Sequence, residues 1–328
     1  MVVGNERGWK IVKQWDVLTV GETMVVFIPE QKQLLRYVDR FKKGIAGAES
    51  NVAIGVSKLG HTSCWISKLG CDELGEYVLR EIRGEGVYVS EVIRDENAST
   101  GLMIKQFSEA NETSVFYYRR NSAASTLNKD NISEEMIQNS KIIHITGVTS
   151  ALSGSCAEMN LTLAKKAKKN GVLVSFDPNI RLRLWSKNEA AETLRPLLDM
   201  CDIVEIGLDE AKVLLDTDNI NEIVRILREK KIHKIAVKLG SKGAIVADES
   251  SMYEIPPYSV KVIDNIGAGD AFAAGFLCGI LEERDLFTCG KMGAMMGAQA
   301  VGTLGDIEGL PDRKRLELLL NGNKENYR

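Results

Sequence analysis

Six near-continuous apolar runs recur along the chain: "WDVLTVG", "TSCWISKLG", "KIIHITG", "GVLVSFDPN", "CDIVEIG" and "IHKIAVKLG". A strand wetted on one face alternates polar and apolar residues, whereas a strand buried on both faces reads as an unbroken apolar run. Helix-length segments separate these runs, long enough for the crossovers that parallel neighbours need. The alternation predicts an α/β chain with a mainly parallel sheet covered by helices on both faces. In "ESNVAIGVSKLG", Val52, Val56 and Leu59 fall on one helical face and Gly60 marks the stop. "CAEMNLTLAKKAKKNG" repeats the design, with a basic end that suits the helix dipole, and "NEIVRILREKK" is a third amphipathic helix.

Two segments break this rhythm. Residues 22–43 and about 100–120 read as extended runs with mixed faces, the second as a hairpin turning near Glu109–Glu112. They predict a small separate sheet, or lid, inserted into the α/β core. No Pro/Ser-rich linker, low-complexity tract or repeat divides the chain, so residues 1–328 read as one domain with that appendage.

Composition narrows the function classes. The chain is 44% hydrophobic, enough for a sizeable core, and its net charge of -3 argues against broad binding to nucleic acid or an anionic membrane. Cysteines at 64, 71, 156, 201, 278 and 289 form no CxxC pair, and three histidines supply no zinc-ligand spacing. Thiols scattered on apolar segments predict a reducing cytoplasm. "MVVGNERGWKIVKQW" has no apolar core of a signal peptide, and the longest apolar run, at 271–281, is too short to span a bilayer.

The chemistry concentrates in "VIDNIGAGDAFAAGF", residues 262–276. Neither GxGxxG nor GxxxxGK[ST] is present, since Phe272 stands where a third glycine would fall. Gly267, Ala268 and Gly269 can still aim successive N–H groups outward at a helix start, an anion hole for charge on a phosphoryl group. Asp270 can then accept the proton of an attacking hydroxyl. The plain alternative is that Asp270 only caps the helix.

The same stretch resembles the C-terminal signature of the ribokinase-like (PfkB) sugar kinases. "GIAGAESNVAIGVSKLG" at 44–60 resembles their N-terminal glycine-rich signature, and the similarity runs from about Trp15 to Pro311. The resemblance implies a Rossmann-like core with a small β lid, ATP and Mg²⁺ as cofactors, and transfer of phosphate to a sugar hydroxyl. "FYYRRNSAAS" at 116–125, "FDPNIRLRLW" at 176–185 and "GDIEG" at 305–309 are similar to 2-keto-3-deoxygluconate kinases. That substrate carries a carboxylate, and arginine binds carboxylates through parallel charge-assisted hydrogen bonds. By this match Arg119 and Arg181 hold the acid group, Gly47, Asn51 and Tyr117 contact hydroxyls, and Asp306 reaches the far end. Of Tyr117 and Tyr118, alternation on a strand puts one toward the ligand and leaves the other to pack. "VKLGSKGA" at 237–244 is similar to the family's ATP-contacting loop, implying Gly240, Ser241 and Gly243, with adenine against "GAMMGAQAVG" and the turn containing Asn265.

Two departures stand out. Where the family often has Asn-x-x-Glu, this chain reads "GLDE", keeping Glu210 to act on magnesium through its water but with Gly207 for the asparagine. "DNIGAGD" replaces "DTTGAGD" or "DTVGAGD", so Asp264 is a candidate for a monovalent cation while Asn265 leaves a K⁺ requirement open. The family also implies a homo-oligomer, a dimer through the lid. The alternatives are a fructokinase or 5-keto-2-deoxygluconate kinase of the same family, a dehydrogenase on a similar sheet, and a silent sugar-binding regulator. His144, Cys278 and Cys289 read as core residues, and "AKKAKKNG" as a solvated helix end.

Overall fold

The computed structural model describes residues 13–107 and 113–322, together with the backbone pairing of residues 2–3 with 10–11. In chain order the first six strands of the two larger sheets are β1 (Trp15–Val20), β2 (Met24–Pro29), β3 (Phe41–Ala46), β4 (Ser63–Ile66), β5 (Leu102–Phe107) and β6 (Thr113–Tyr118). The next six are β7 (Ser140–Thr146), β8 (Leu173–Asp177), β9 (Ile203–Gly207), β10 (Lys234–Lys238), β11 (Ala244–Ala247) and β12 (Met252–Ile255). The five helices that matter below are α1 (Ala48–Lys58), α2 (Gly154–Lys169), α3 (Ile220–Glu229), α4 (Ala268–Leu281) and α5 (Leu286–Ala300).

The eight-stranded sheet has the order β12-β11-β10-β9-β8-β7-β1-β4. Its six parallel members, β10 to β4, are the six apolar runs of the sequence. Successive residues on each strand point to opposite faces. Val17, Ile142 and Ile203 join one core with α1, α4 and α5, while Leu18, Ile143 and Val204 join another with α2 and α3. Burial on both faces explains why these strands show no polar alternation. The antiparallel edge made by β11 and β12 has no counterpart in the sequence reading. Helix α4 is apolar on nearly every side and is accordingly enclosed, with α5 packed so tightly that a Cβ on Gly275 would lie 2.6 Å from the Met292 carbonyl oxygen.

A separate four-stranded sheet has the order β6-β5-β2-β3. It takes its strands from the two segments that broke the rhythm. The first segment extends beyond residue 43, because β3 continues to Ala46 and delivers the chain into the glycine-rich motif. The turn expected near Glu109–Glu112 lies outside the described residues; its flanks pair antiparallel, Phe107 opposite Thr113. One face of this sheet buries Met24, Val26, Ile28, Met103 and Phe107. Tyr118, expected to pack if Tyr117 faced the ligand, is 62% exposed on β6, an outer strand of this sheet. Among the described residues no helix is long and apolar enough to cross a membrane.

Candidate active site

The glycine turn and the strand ends converge on Asp270. Gly267 caps α4 with φ 84°, a left-handed conformation that glycine adopts without strain. Asp270 therefore sits inside the first helical turn and is not the cap. The residue is only 7% exposed, and its carboxylate accepts two side-chain amides: Asn51 Nδ2 at 2.8 Å and Asn179 Nδ2 at 3.2 Å. Burial, more than any other cause, pushes its pKa up to about 6, with the Asn51 hydrogen bond and Arg181 pulling the other way. The N–H groups of Gly267, Ala268 and Gly269 have no partner among the described residues, as the first turn of a helix leaves them.

Two clefts meet at this turn. The larger, about 840 Å³, is lined by Gly47, Asn51, Tyr117, Arg119, Arg181 and Asp306 on one side and by Asp177, Glu210 and Lys238 on the other. The second, about 740 Å³, is lined by Gly240, Ser241 and Gly243, by Ala294, Gly297 and Ala298 of α5, and by Asn265. Lys238, Gly240, Asn265 and Gly269 border both. Every residue proposed from the sequence for the sugar, and each of the four for the nucleotide, thus lies on one or other cleft.

Several partners differ from expectation. Arg119 is not free for a ligand carboxylate: its Nε donates to Glu22 Oε2 at 2.6 Å, in a pair that is almost wholly buried. Ser122 donates to the other oxygen of Glu22. The Arg181 side chain is exposed into the cleft, and its guanidinium has no ion pair or hydrogen bond among the described residues. Asp264, the candidate for a monovalent cation, already carries a cation of the chain's own. Lys105 Nζ lies 2.8 Å from Asp264 Oδ2 and 3.2 Å from Asp306 Oδ1. Asp306 also accepts from Asn51 at 3.3 Å.

Across the turn, Lys238 Nζ donates to Asp177 Oδ2 at 2.6 Å. Glu210 accepts the Gly207 N–H at 2.7 Å and the Ile180 N–H at 3.1 Å, so it fixes a strand end and a helix start as well as facing the cleft. No three acidic, histidine or cysteine side chains among the described residues form a metal cage. Magnesium usually takes one or two carboxylates plus substrate phosphates and keeps its waters. Asp177, Asp209 and Glu210 are carboxylates of the larger cleft that could hold it.

Asn179, Lys105, Lys238, Asp177 and Glu22 were not singled out from the sequence. Lys105 had a signal: on β5 it shares a face with the buried Met103 and Phe107, so a charge there must be paired. Asn179 lies inside "FDPN" but reaches Asp270 by a φ of 39° that no periodicity announces. His144 is a core residue, as expected. It contacts Ser175 Oγ at 2.8 Å, and burial lowers its pKa to about 4. Cys278 and Cys289 are buried in helices α4 and α5.

Comparison with known proteins bears on the family and the fold. Residues 14–313 match the model of the pfkB family carbohydrate kinases. A 2-dehydro-3-deoxygluconokinase of Bacillus subtilis is 36% identical over 313 residues, 94% of this chain and 96% of its own length. A probable fructokinase-5 of Arabidopsis thaliana is 33% identical over 273 residues, 82% of this chain and 84% of its own. A sugar kinase of Pyrococcus horikoshii, solved in complex with ATP, superposes with a TM-score of 0.79 at 29% identity, covering 91% of this chain and 96% of the other. With a ribokinase-like fold, two clefts meeting at a glycine turn and a family match over almost its full length, the chain belongs to the pfkB family of carbohydrate kinases.

Proposed function

We propose that the chain transfers the γ-phosphoryl group of ATP to the terminal hydroxyl of 2-keto-3-deoxygluconate, the 2-dehydro-3-deoxygluconate of its relative's name. The observation that carries the acid substrate is Arg181, an unpaired guanidinium in the larger cleft. An exposed guanidinium with no partner of its own is available to a ligand carboxylate, which it can grip through two parallel charge-assisted hydrogen bonds. Arg119, neutralised by Glu22, presents only its remaining N–H groups and orients hydroxyls better than it binds charge.

In this reading the sugar occupies the 840 Å³ cleft, with Asn51, Tyr117 and Asp306 on its hydroxyls, and the adenosine lies in the 740 Å³ cleft against α5. Asp270 takes the proton of the attacking hydroxyl. A base pKa near the working pH combines a large deprotonated fraction with useful proton affinity. The free N–H groups of Gly267–Gly269 and the Lys238 ammonium offset charge on the transferring group. Magnesium would supply neutralisation of the phosphate oxygens when bound with the nucleotide; Asp177 and Glu210 would hold it, directly or through water. The β5–β6 side of the small sheet acts as a lid that excludes water from the phosphoryl group.

The second reading is a fructokinase, and the Glu22–Arg119 pair favours it, since it leaves the cleft with one free arginine instead of two. An ADP-release assay with Mg²⁺ and 2-keto-3-deoxygluconate, 5-keto-2-deoxygluconate, fructose or ribose separates them. The acid sugar is expected to give the highest kcat/KM; preference for fructose overturns the substrate while keeping the site. Asp270→Asn is expected to keep fold and ligand binding and to lose roughly 10²–10⁴-fold in kcat. A folded variant with wild-type turnover removes Asp270 as the base.

A further inference from the structure

Lys105 is an unusual residue for a small sheet that packs over a cleft. Its side chain is 0% exposed, and the two carboxylates around its ammonium, Asp264 and Asp306, are 2% and 3% exposed. Burial by itself would drive off the proton, but the two carboxylates outweigh it and hold the lysine charged, with its pKa raised. The three residues come from distant parts of the chain: β5, the turn before α4 and the loop after α5.

Each carboxylate leads to the reacting centre. Asp264 Oδ1 accepts the Ile266 N–H at 3.2 Å, which shapes the backbone entering Gly267–Gly269. Asp306 Oδ2 accepts from Asn51, whose amide also holds Asp270 at 2.8 Å. The Asp306 backbone lies directly under the turn, its carbonyl oxygen 3.0 Å from where a Cβ on Gly267 would stand. One ammonium therefore ties the small sheet, the anion-hole turn and the base's amide partner together.

We infer that Lys105 is a positioning residue for phosphoryl transfer, a built-in cation that takes the place of a dissolved monovalent ion at Asp264 and holds the anion-hole turn in register with the lid sheet. This rests on the kinase reading above. Asp264 has one oxygen on the lysine and the other on a backbone N–H, so its carboxylate is already satisfied without K⁺.

The wild-type enzyme is to be assayed in KCl, NaCl and tetramethylammonium chloride at equal ionic strength, and its thermal unfolding followed in the same salts. Equal kcat and equal unfolding temperatures are expected in all three; activation or stabilisation specific to K⁺ overturns the inference. Lys105→Ala and Lys105→Met are then compared at a temperature where both are folded. Both are expected to lose about 10²-fold in kcat, the scale of one misplaced oxyanion donor, with nucleotide binding retained. Ammonium or methylammonium should restore part of the loss in Lys105→Ala, whose cavity admits an amine, and none in Lys105→Met. The same amines, against tetramethylammonium, should raise the unfolding temperature of Lys105→Ala but not of wild type. A lysine that served stability alone would lower the unfolding temperature with kcat intact and show no amine-specific rescue, and that result overturns the role. If the variants do not fold, the wild-type salt series still decides. If no sugar is phosphorylated by the wild type, the kinase reading fails, while the unfolding measurements still judge the built-in cation.

Discussion

Asp270 is a carboxylate held by amides in a place where water hardly reaches it. Its raised pKa, about 6, makes the pH dependence of the free enzyme readable. As the proposed base, Asp270 must be deprotonated to accept the hydroxyl proton, so kcat/KM should rise with pH through a limb near 6 and level off above it. The Asn51 N–H stabilises the charged form and lowers the pKa, so Asn51→Ala should move the limb to higher pH as well as lower the plateau. A limb that stays in place separates Asn51 from the proton transfer. The two arginines divide in the same way. Arg181→Ala should raise KM for the acid sugar by roughly 10- to 100-fold, the scale of a charge-assisted contact, with little change for fructose. Arg119→Ala removes the partner of the buried Glu22 and should cost stability as well. Equal KM effects of Arg181→Ala on both sugars would remove it from the carboxylate.

At the scale of elements, the site is a turn on which a helix starts, read against strand ends. Gly267 is the narrowest point: its φ of 84° is strained for any side chain, and the Asp306 backbone leaves little room beneath it. Gly267→Ala should cost about 1–2 kcal/mol in stability from the left-handed conformation. It should cost more in kcat, because the N–H groups that follow are displaced; circular dichroism melts with single-turnover rates measure the two together. A variant that melts lower but turns over normally would show the turn to be structural only. Elements of this kind differ in how far the sequence displays them. The parallel strands were legible because burial on both faces writes itself as unbroken apolar runs. The edge hairpin β11–β12 was not, since "AIVA" is short and "MYEI" has only Ile255 buried. The turn and Asp270 were legible from local glycine spacing. The pairs Lys105–Asp264, Lys238–Asp177 and Arg119–Glu22 were not, because their partners lie 159, 61 and 97 residues apart and only the folded sheet order joins them.

For the whole molecule, the polar groups buried along the strand ends set how stability depends on pH. Burial first, then neighbouring charge, raises Glu205 to about 8, with Asp177 pushing it up and Lys238 pulling it down. Burial likewise raises Glu49 to about 7 despite hydrogen bonds from Thr146 and Thr149, and Asp270 to about 6. Each of these carboxyls holds its proton in the folded protein at pH values where the unfolded chain has released it. Their contribution is therefore complete below the unfolded pKa of about 4 and is lost as pH rises through about 6, 7 and 8. Half-buried carboxylates such as Asp16 and Asp72 act in the opposite sense. Their pKa values are lowered by nearby donors that outweigh burial, so the stability they add is present at neutral pH and lost in acid. The sum predicts greatest stability on the acid side of neutrality, with a decline between about pH 5 and 8.5. Glu205→Gln isolates one component, because glutamine keeps the size and can still accept from Ser175 Oγ. It should flatten the decline by an amount on the order of a few kcal/mol at pH 8.5 and leave stability near pH 4 almost unchanged. Urea melts of both proteins across that range measure the difference directly. A constant offset between them at every pH would mean that Glu205 does not carry the extra proton, and the decline would then have to be assigned to Glu49 and Asp270.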